Sequence, residues 1–115
     1  ASQQLADAQF MLGRLNHDGL GLPVNVKAAL GWYRKAARHG YVAAQFMVAY
    51  VLLSGDVGKS NPFKARVWAE LATRHGYEDG RLLSEHAEYQ LKKQQISKAI
   101  VLAEKCLKSG YEDCP

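Results

Sequence analysis

The sequence has little of what marks several classes of protein. Its 115 residues include only 3 prolines and 2 cysteines, and 48% of them are hydrophobic, which excludes a collagen-like or disordered chain. The longest mostly apolar stretch, Ala43–Leu53, is shorter than the roughly 20 residues that cross a bilayer, so we expect no membrane insertion. The net charge of +4 is too small to indicate nucleic-acid binding. We therefore predict one folded domain over residues 1–115.

Motifs for catalysis and metal binding are also missing. The segment GDVGKS at Gly55 resembles part of a phosphate-binding loop, but the glycine that such a loop needs at position 53 is Leu53. No Ser/His/Asp or Cys/His arrangement stands out, and neither cysteine is flanked by a Cys or His pair at metal-ligand spacing. We therefore predict no enzymatic activity, no cofactor and no metal site.

An internal repeat dominates the sequence. The tetrapeptide AQFM at Ala8 recurs 36 residues later, and so does RHGY at Arg38, whereas GYED at Gly76 recurs at Gly110 after 34 residues. Such a period is typical of a stacked repeat protein. The predicted units are 5–40, 41–76 and a degenerate third unit 77–110, followed at 111–115 by a tail or the start of a terminal capping helix.

Each unit has the pattern of two helices. Apolar residues at i, i+4 and i+7, such as Ala8, Leu12 and Leu15, indicate an amphipathic helix, and a cluster of Gly and turn-forming residues separates the two helices of a unit. Asn25 and Asn61 are predicted N-caps. The predicted C-caps of the second helices are Gly40, Gly76 and Gly110. The residues predicted to pack between units are Trp32, Trp68 and Leu102.

The residues that carry a family resemblance lie mainly in the first unit. They are Ala8-x3-Leu12-Gly13, Gly19-x-Gly21 and Asn25-x3-Ala29-x2-Trp32-Tyr33-x-Lys35-Ala36-Ala37-x2-Gly40. This pattern resembles the Sel1-like repeat, a relative of the tetratricopeptide repeat. The resemblance implies an all-α fold, a right-handed α/α superhelix of about three helix pairs. Two departures are Asn16, where the family usually has tyrosine, and Ala49, where it has glycine.

The two cysteines, Cys106 and Cys114, are eight residues apart. This spacing is similar to that of the secreted, cysteine-rich branch of Sel1-like proteins, where it implies a disulfide between successive repeats. A turn at Ser109-Gly110 would bring Cys106, at the end of one helix, beside Cys114, at the start of the next. Because persistent disulfides belong to oxidising compartments, we expect a bacterial periplasmic or otherwise secreted protein. Two reduced cysteines in a cytosolic protein remain the alternative.

The resemblance also implies where a partner binds. In tetratricopeptide-type repeats the first helices line a concave face, and the residues here that correspond to it, which are expected to bind a partner, are Arg14, Tyr50 and His86, with His17, Leu53 and Tyr89 beside them. Tyr, His and Arg are common in protein contacts. For Tyr50 and Leu53, burial as packing residues is the other interpretation.

The predicted function is therefore a non-enzymatic interaction module of the cell envelope, an adaptor, assembly factor or immunity-type protein. It would bind a protein or peptide on its concave face and be monomeric when free. Two alternatives stay open: a protein that binds or hydrolyses cell-wall glycan in the same groove, and a fragment of a longer Sel1-like scaffold.

Overall fold

The computed structural model describes residues 2–19, 24–55 and 59–115. The regular structure of these residues is entirely helical, so the predicted all-α class is confirmed, and the helices are α1 (Ser2–Asp18), α2 (Val26–Arg38), α3 (Val42–Ser54), α4 (Pro62–Arg74), α5 (Glu78–Glu88) and α6 (Lys93–Lys108). None of them combines the length and apolar character of a membrane span within the described ranges. The turn sequences between α1 and α2 and between α3 and α4 fall partly on 20–23 and 56–58, outside the described residues.

Asparagine caps begin the second helices, as the sequence predicted. The side chains of Asn25 and Asn61 accept a hydrogen bond from the backbone N–H three residues later, at 3.0 and 3.1 Å. Each asparagine also donates its own backbone N–H back to the preceding helix, to the carbonyl of Asn16 or Leu52, at 2.7 Å in both cases. Pro62 follows the second cap at the first helical position, where its missing N–H costs nothing. The caps thereby fix how each hairpin closes.

Glycine turns end α2, α4 and α6 in the same way. Gly40, Gly76 and Gly110 have φ angles of 82, 87 and 68°, a left-handed conformation that favours glycine. The residue after each glycine donates its N–H to the carbonyl five residues back, which is the longer bond of a Schellman motif. These bonds are Tyr41 to Ala36 at 3.2 Å, Tyr77 to Ala72 at 3.0 Å and Tyr111 to Cys106 at 2.9 Å. The predicted C-caps are therefore confirmed.

The first four helices stack as two hairpins. Helix α1 packs on α2 and α3 on α4, while α3 also covers α2 and α5 covers α4. Trp68 is fully buried on α4, as expected of a residue that packs between units. Trp32 is only half-buried, with Lys35 Nζ 4.6 Å from the centre of its ring. The difference arises because α4 is enclosed by α3, α5 and α6, whereas α2 packs mainly against α1 and α3. Leu102 is also half-buried.

The helices of the third unit do not form a hairpin like the first two. Helix α6 packs against α4, and α5 and α6 make few contacts with each other. Glu85 and Glu88 occupy the positions at which α3 has the apolar Ala49 and Leu52, and Glu85 is exposed where Ala49 is fully buried. Burying such carboxylates between two helices would cost free energy unless they were paired. The sequence predicted a degenerate unit but not this opening.

A ladder of ion pairs on α4 joins it to both helices of the third unit. Arg66, Glu70 and Arg74 follow one another at i, i+4 and i+8 on α4; Glu70 Oε1 and Oε2 lie 2.9 Å from Arg66 Nη1 and 2.7 Å from Arg74 Nε. Glu88 of α5 lies 2.7 Å from Arg66 Nε, and Glu104 of α6 pairs with Arg74. Arg66 is buried, so this ladder is a better candidate for measurable stabilisation than isolated surface pairs.

The ion-pair ladder lowers the pKa values of two of its carboxyl groups, those of Glu70 and Glu104. Burial raises the pKa of Glu70, but hydrogen bonds from Arg74 and Arg66 outweigh burial and hold that pKa below its ordinary value. The hydrogen bond from Arg74 likewise lowers the pKa of Glu104. A group whose pKa is lower in the folded than in the unfolded chain stabilises the fold above its unfolded value, about 4.3 for glutamate. That stabilisation is lost as the pH falls through the folded pKa.

We therefore expect the free energy of unfolding, measured by urea denaturation, to fall as the pH is lowered below about 5. Arg74→Gln should make this fall smaller, because it removes the cation that Glu70 and Glu104 share. Arg81→Gln is the matched control, since Arg81 is exposed and takes no part in the ladder. An equal dependence on pH in both variants and the native chain would contradict the assignment.

The chain ends in a segment held by a disulfide. Cys106 and Cys114 are bonded, with their Cα atoms 4.8 Å apart, and the backbone N–H of Asp113 donates to the hydroxyl of Ser109 at 2.9 Å. The sequence analysis left two alternatives for residues 111–115, a tail or the start of a capping helix that would hold Cys114. The structure has the tail, because residues 109–115 form a turn and bends, and the disulfide closes on it.

Candidate functional site

A continuous series of ring contacts crosses the first two units. Consecutive ring centroids are between 4.9 and 6.5 Å apart, the range in which ring pairs attract one another. The members of this aromatic series, in spatial order, are Tyr41, Phe10, Tyr33, His17, Tyr50, Phe46 and Tyr77. The series therefore joins the first helix pair to the second and ends at Tyr77, the first residue of the third unit.

The repeat itself produces the two ends of the series. Phe10 and Phe46 are equivalent residues of α1 and α3, and each is covered by the tyrosine that follows the next glycine turn. The Phe10–Tyr41 rings stack at 5.0 Å with an interplanar angle of 20°, and the Phe46–Tyr77 rings stack at 4.9 Å and 26°. One packing rule, applied twice 36 residues apart, thus builds both stacks.

Tyr33 and His17 join the stacks in the middle. The Tyr33 hydroxyl lies 3.2 Å from Nδ1 of His17, and the two rings meet edge to face. Burial raises the pKa of Tyr33 to about 12; the charge of Arg14 lowers it and that of Asp18 raises it by smaller amounts. The hydroxyl therefore keeps its proton at neutral pH and can donate it to an unprotonated His17 Nδ1. This bond fixes the His17 ring, which lies 6.4 Å from that of Tyr50.

Tyr50 is the exposed member of the series. It is 44% exposed on α3, a helix without a charged residue, and its ring touches those of His17 and Phe46. The alternative interpretation, burial as a packing residue, does not describe it. A tyrosine whose ring is held by its neighbours while one face is open loses little side-chain entropy when it is covered by a partner.

The other sequence-predicted residues lie apart from this centre. Arg14 is one helical turn from His17 and pairs with Asp18 at 3.1 Å on the surface. His86 and Tyr89 are exposed on and just after α5, and Tyr89 is 89% exposed beside a shallow pocket of about 390 Å³. No ring contact in the described part of the chain joins either of them to the aromatic series. The structure thus brings together His17 and Tyr50, with Arg14 nearby, but not the α5 residues.

Comparison with protein families identifies the fold. The family described as Sel1 repeat matches residues 6–41 and 42–77, which is more than half of the chain. The chain belongs to the Sel1 repeat family. Sel1 repeats are generally protein-interaction modules. The search of curated proteins found no significant match to this chain.

The two matched Sel1 repeats contain the whole aromatic series. Four of its members, the stacked pairs of Phe10 with Tyr41 and Phe46 with Tyr77, were not among the residues selected from the sequence. The signal that could have found them is the repeated AQFM and RHGY, since both ring types recur at the same stride. Leu53, which the sequence analysis placed beside the groove row, is half-buried in the second Sel1 repeat.

Two further observations concern metal ligands and the disulfide. Within the described ranges, no three His, Cys, Asp or Glu side chains are grouped so that they could hold a metal ion. The disulfide between Cys106 and Cys114 is compatible with an oxidising location outside the cytoplasm.

Proposed function

We propose that this protein is a non-enzymatic binding module that takes a protein or peptide on the face formed by its first helices. The observation that carries the proposal is the aromatic series, which crosses two Sel1 repeats and presents the exposed Tyr50 next to its central member, His17. The proposed contact residues are Arg14, His17, Tyr50, His86 and Tyr89. Tyr and Arg are enriched among residues that dominate binding energy at protein interfaces, which supports the assignment.

The proposal includes a compartment and an oligomeric state. A cell-envelope location, periplasmic or secreted in a bacterium, is supported by the disulfide at Cys106–Cys114, because such bonds persist where thiols are not kept reduced. Residues 77–110 are proposed to be a third, degenerate unit that follows the two matched repeats. The free module is proposed to be a monomer.

Affinity capture from native cell-envelope extract tests the proposal. The native chain should retain a partner that is lost from Arg14→Glu/Tyr50→Ala/His86→Ala, because these changes remove ring area and reverse a charge on the proposed face. The matched control is Arg38→Glu/Gln94→Ala/Val101→Ala. It makes the same change in net charge, and all three of its positions are exposed and lie outside that face. The captured protein is then purified, and its affinity for all three chains is measured.

Each result of the capture has a stated meaning. A partner lost from the first variant and kept by the control supports binding by this face, with a loss in affinity of about tenfold or more for a group of interface anchors. Equal retention by all three chains overturns the face. Failure to capture a protein, together with saturable binding of muropeptides, overturns the proposed ligand class.

In the same extract, Cys106 and Cys114 should be recovered as one bridged peptide, and two free thiols would contradict the compartment.

A further inference from the structure

A ring contact that occurs twice in the Sel1 repeats does not occur in the third unit. Phe10 is covered by Tyr41, and Phe46 by Tyr77. The equivalent residue of α5, 36 positions after Phe46, is Leu82, and the tyrosine that would cover it by the same rule is Tyr111. Leu82 is instead 60% exposed. The third unit therefore has the residue equivalent to the phenylalanine, but no tyrosine ring of the described residues lies over it.

Tyr111 contacts other parts of the chain. Its hydroxyl lies 3.4 Å from His75 Nε2, and its ring lies beside Gly40 at the end of the first unit. Helix α6, which leads to Tyr111, packs on α4 rather than on α5, and the disulfide ties the following residues to α6. The position over Leu82 is thus left open by the same feature that opens the third hairpin.

An open pocket of about 780 Å³ lies at Leu82, the residue that a covering ring would contact. Its lining includes Tyr77, Glu78, Asp79, Arg81, Leu82 and Glu85. Tyr77 and Leu82 supply apolar surface, and the former also belongs to the aromatic series. Glu78, Asp79 and Glu85 oppose the single cation Arg81, so the rim has an acidic excess. Such a pocket favours an aromatic ring carried by a basic segment.

We propose that this pocket binds an aromatic side chain of a peptide in which basic residues flank the ring. The chain itself carries a template for such a ligand: the tyrosines that cover Phe10 and Phe46 both end the sequence Arg-His-Gly-Tyr, at 38–41 and 74–77. The ring packs on Leu82 and Tyr77 as the internal tyrosines pack on phenylalanine. The basic residues before it lie near Glu78, Asp79 and Glu85.

This inference rests on the proposed function only in that the ligand is a peptide. It adds a second contact site at the α5 end of the aromatic series, with a stated ligand chemistry. The two can fail separately, since the capture experiment tests the Tyr50 face with native partners, whereas the pocket is tested with a defined synthetic peptide.

The probe is a fluorescently labelled, C-terminally amidated peptide with the sequence of residues 35–41, KAARHGY, and its binding is measured by fluorescence anisotropy at low ionic strength. We expect saturable binding that weakens by about tenfold or more when Leu82→Glu closes the apolar floor or when the peptide tyrosine is replaced by alanine. Glu85→Gln should weaken binding severalfold, and added salt should do the same.

Val101→Glu is the matched control for Leu82→Glu. Val101 is 68% exposed on α6 and does not line this pocket, so the same change of an exposed aliphatic residue to glutamate there should leave binding unchanged. Circular dichroism checks that both variants keep the helical content of the native chain. The proposal is overturned if the peptide does not bind saturably, if Leu82→Glu and Val101→Glu weaken binding equally, or if the peptide without tyrosine binds as well as the probe.

Discussion

Gly13→Ala should lower the free energy of unfolding by about 1 to 3 kcal/mol, the usual cost of overpacking a core. A methyl group at this position would lie 2.5 Å from Cε1 and 2.6 Å from Cδ1 of Tyr33, distances that real Cβ atoms do not tolerate. The ring cannot move aside easily, because Tyr33 is fully buried and its hydroxyl is held by His17. Urea denaturation measures the change.

The same substitution elsewhere in the first unit is its control. Gly31 lies on α2 with nothing within 4 Å of the position that a Cβ would occupy. Gly31→Ala should therefore stabilise the protein by roughly 0.5 to 1 kcal/mol, since glycine within a helix costs backbone entropy. Opposite signs for the two variants would establish that the ring contact, and not helix propensity, decides the effect at Gly13. If Gly13→Ala were neutral or stabilising, the contact would be refuted.

The second repeat shows how the chain accommodates the larger residue. Its equivalents of Gly13 and Tyr33 are Ala49 and Ala69, both fully buried, so a side chain on the first helix is paired with a small one on the second. A double-mutant cycle follows from this pairing. In a Tyr33→Ala background, Gly13→Ala should stabilise rather than destabilise. If Gly13→Ala lowered the free energy of unfolding equally in that background, the strain would not arise from contact with Tyr33.

Replacing both cysteines by alanine should lower the free energy of unfolding by about 2 to 3 kcal/mol. The disulfide closes a loop between Cys106 and Cys114, and removing a bridge of this length restores that much chain entropy to the unfolded state on the entropic account. Alanine fits these positions, because the equivalent pair between the first and second units is Ala36 and Ala44, both fully buried. Thermal and urea denaturation measure the loss.

A reductant supplies the control for the double variant. Dithiothreitol should destabilise the native chain by a similar amount and leave Cys106→Ala/Cys114→Ala unchanged, because only the former has a bond to break. Amide hydrogen exchange should quicken most at residues 109–115, which the bridge holds against α6. Native protein whose melting temperature is the same with and without reductant would contradict a stabilising role.

The local features of the fold could be read from the sequence. Asn25 and Asn61 cap helices through bonds to residues three positions away, and Gly40 and Gly76 end helices through bonds that span five residues. Such signals depend on residue type and short spacing alone. Because these cap and turn residues recur at the same positions of the repeat, an assignment made in the first unit also predicted most of the second.

What the sequence did not reveal depends on contacts between distant residues. The pairing of Arg66 with Glu88 spans 22 residues, and that of Arg74 with Glu104 spans 30. Neither follows from periodicity, because the packing of α5 and of α6 on α4 decides which charges meet. The position of Tyr111 was missed for the same reason. The candidate face was predicted only in part, since Tyr50 was selected with His17 but without Phe46, the other ring that it contacts.

The contact between Tyr111 and the turn at Gly40 affects how cooperatively the protein should unfold. In an ideal solenoid each unit touches only its neighbours, so the array behaves as a one-dimensional chain whose ends fray independently. Here the ring of Tyr111, in the last turn, lies beside the glycine turn that ends the first unit, and its hydroxyl lies 3.4 Å from Nε2 of His75 in the second unit. Loss of the first unit therefore removes a contact of the last turn, and loss of the last turn removes a contact of the first unit. Unfolding should therefore proceed as a single cooperative transition rather than as a sequence of units peeling away.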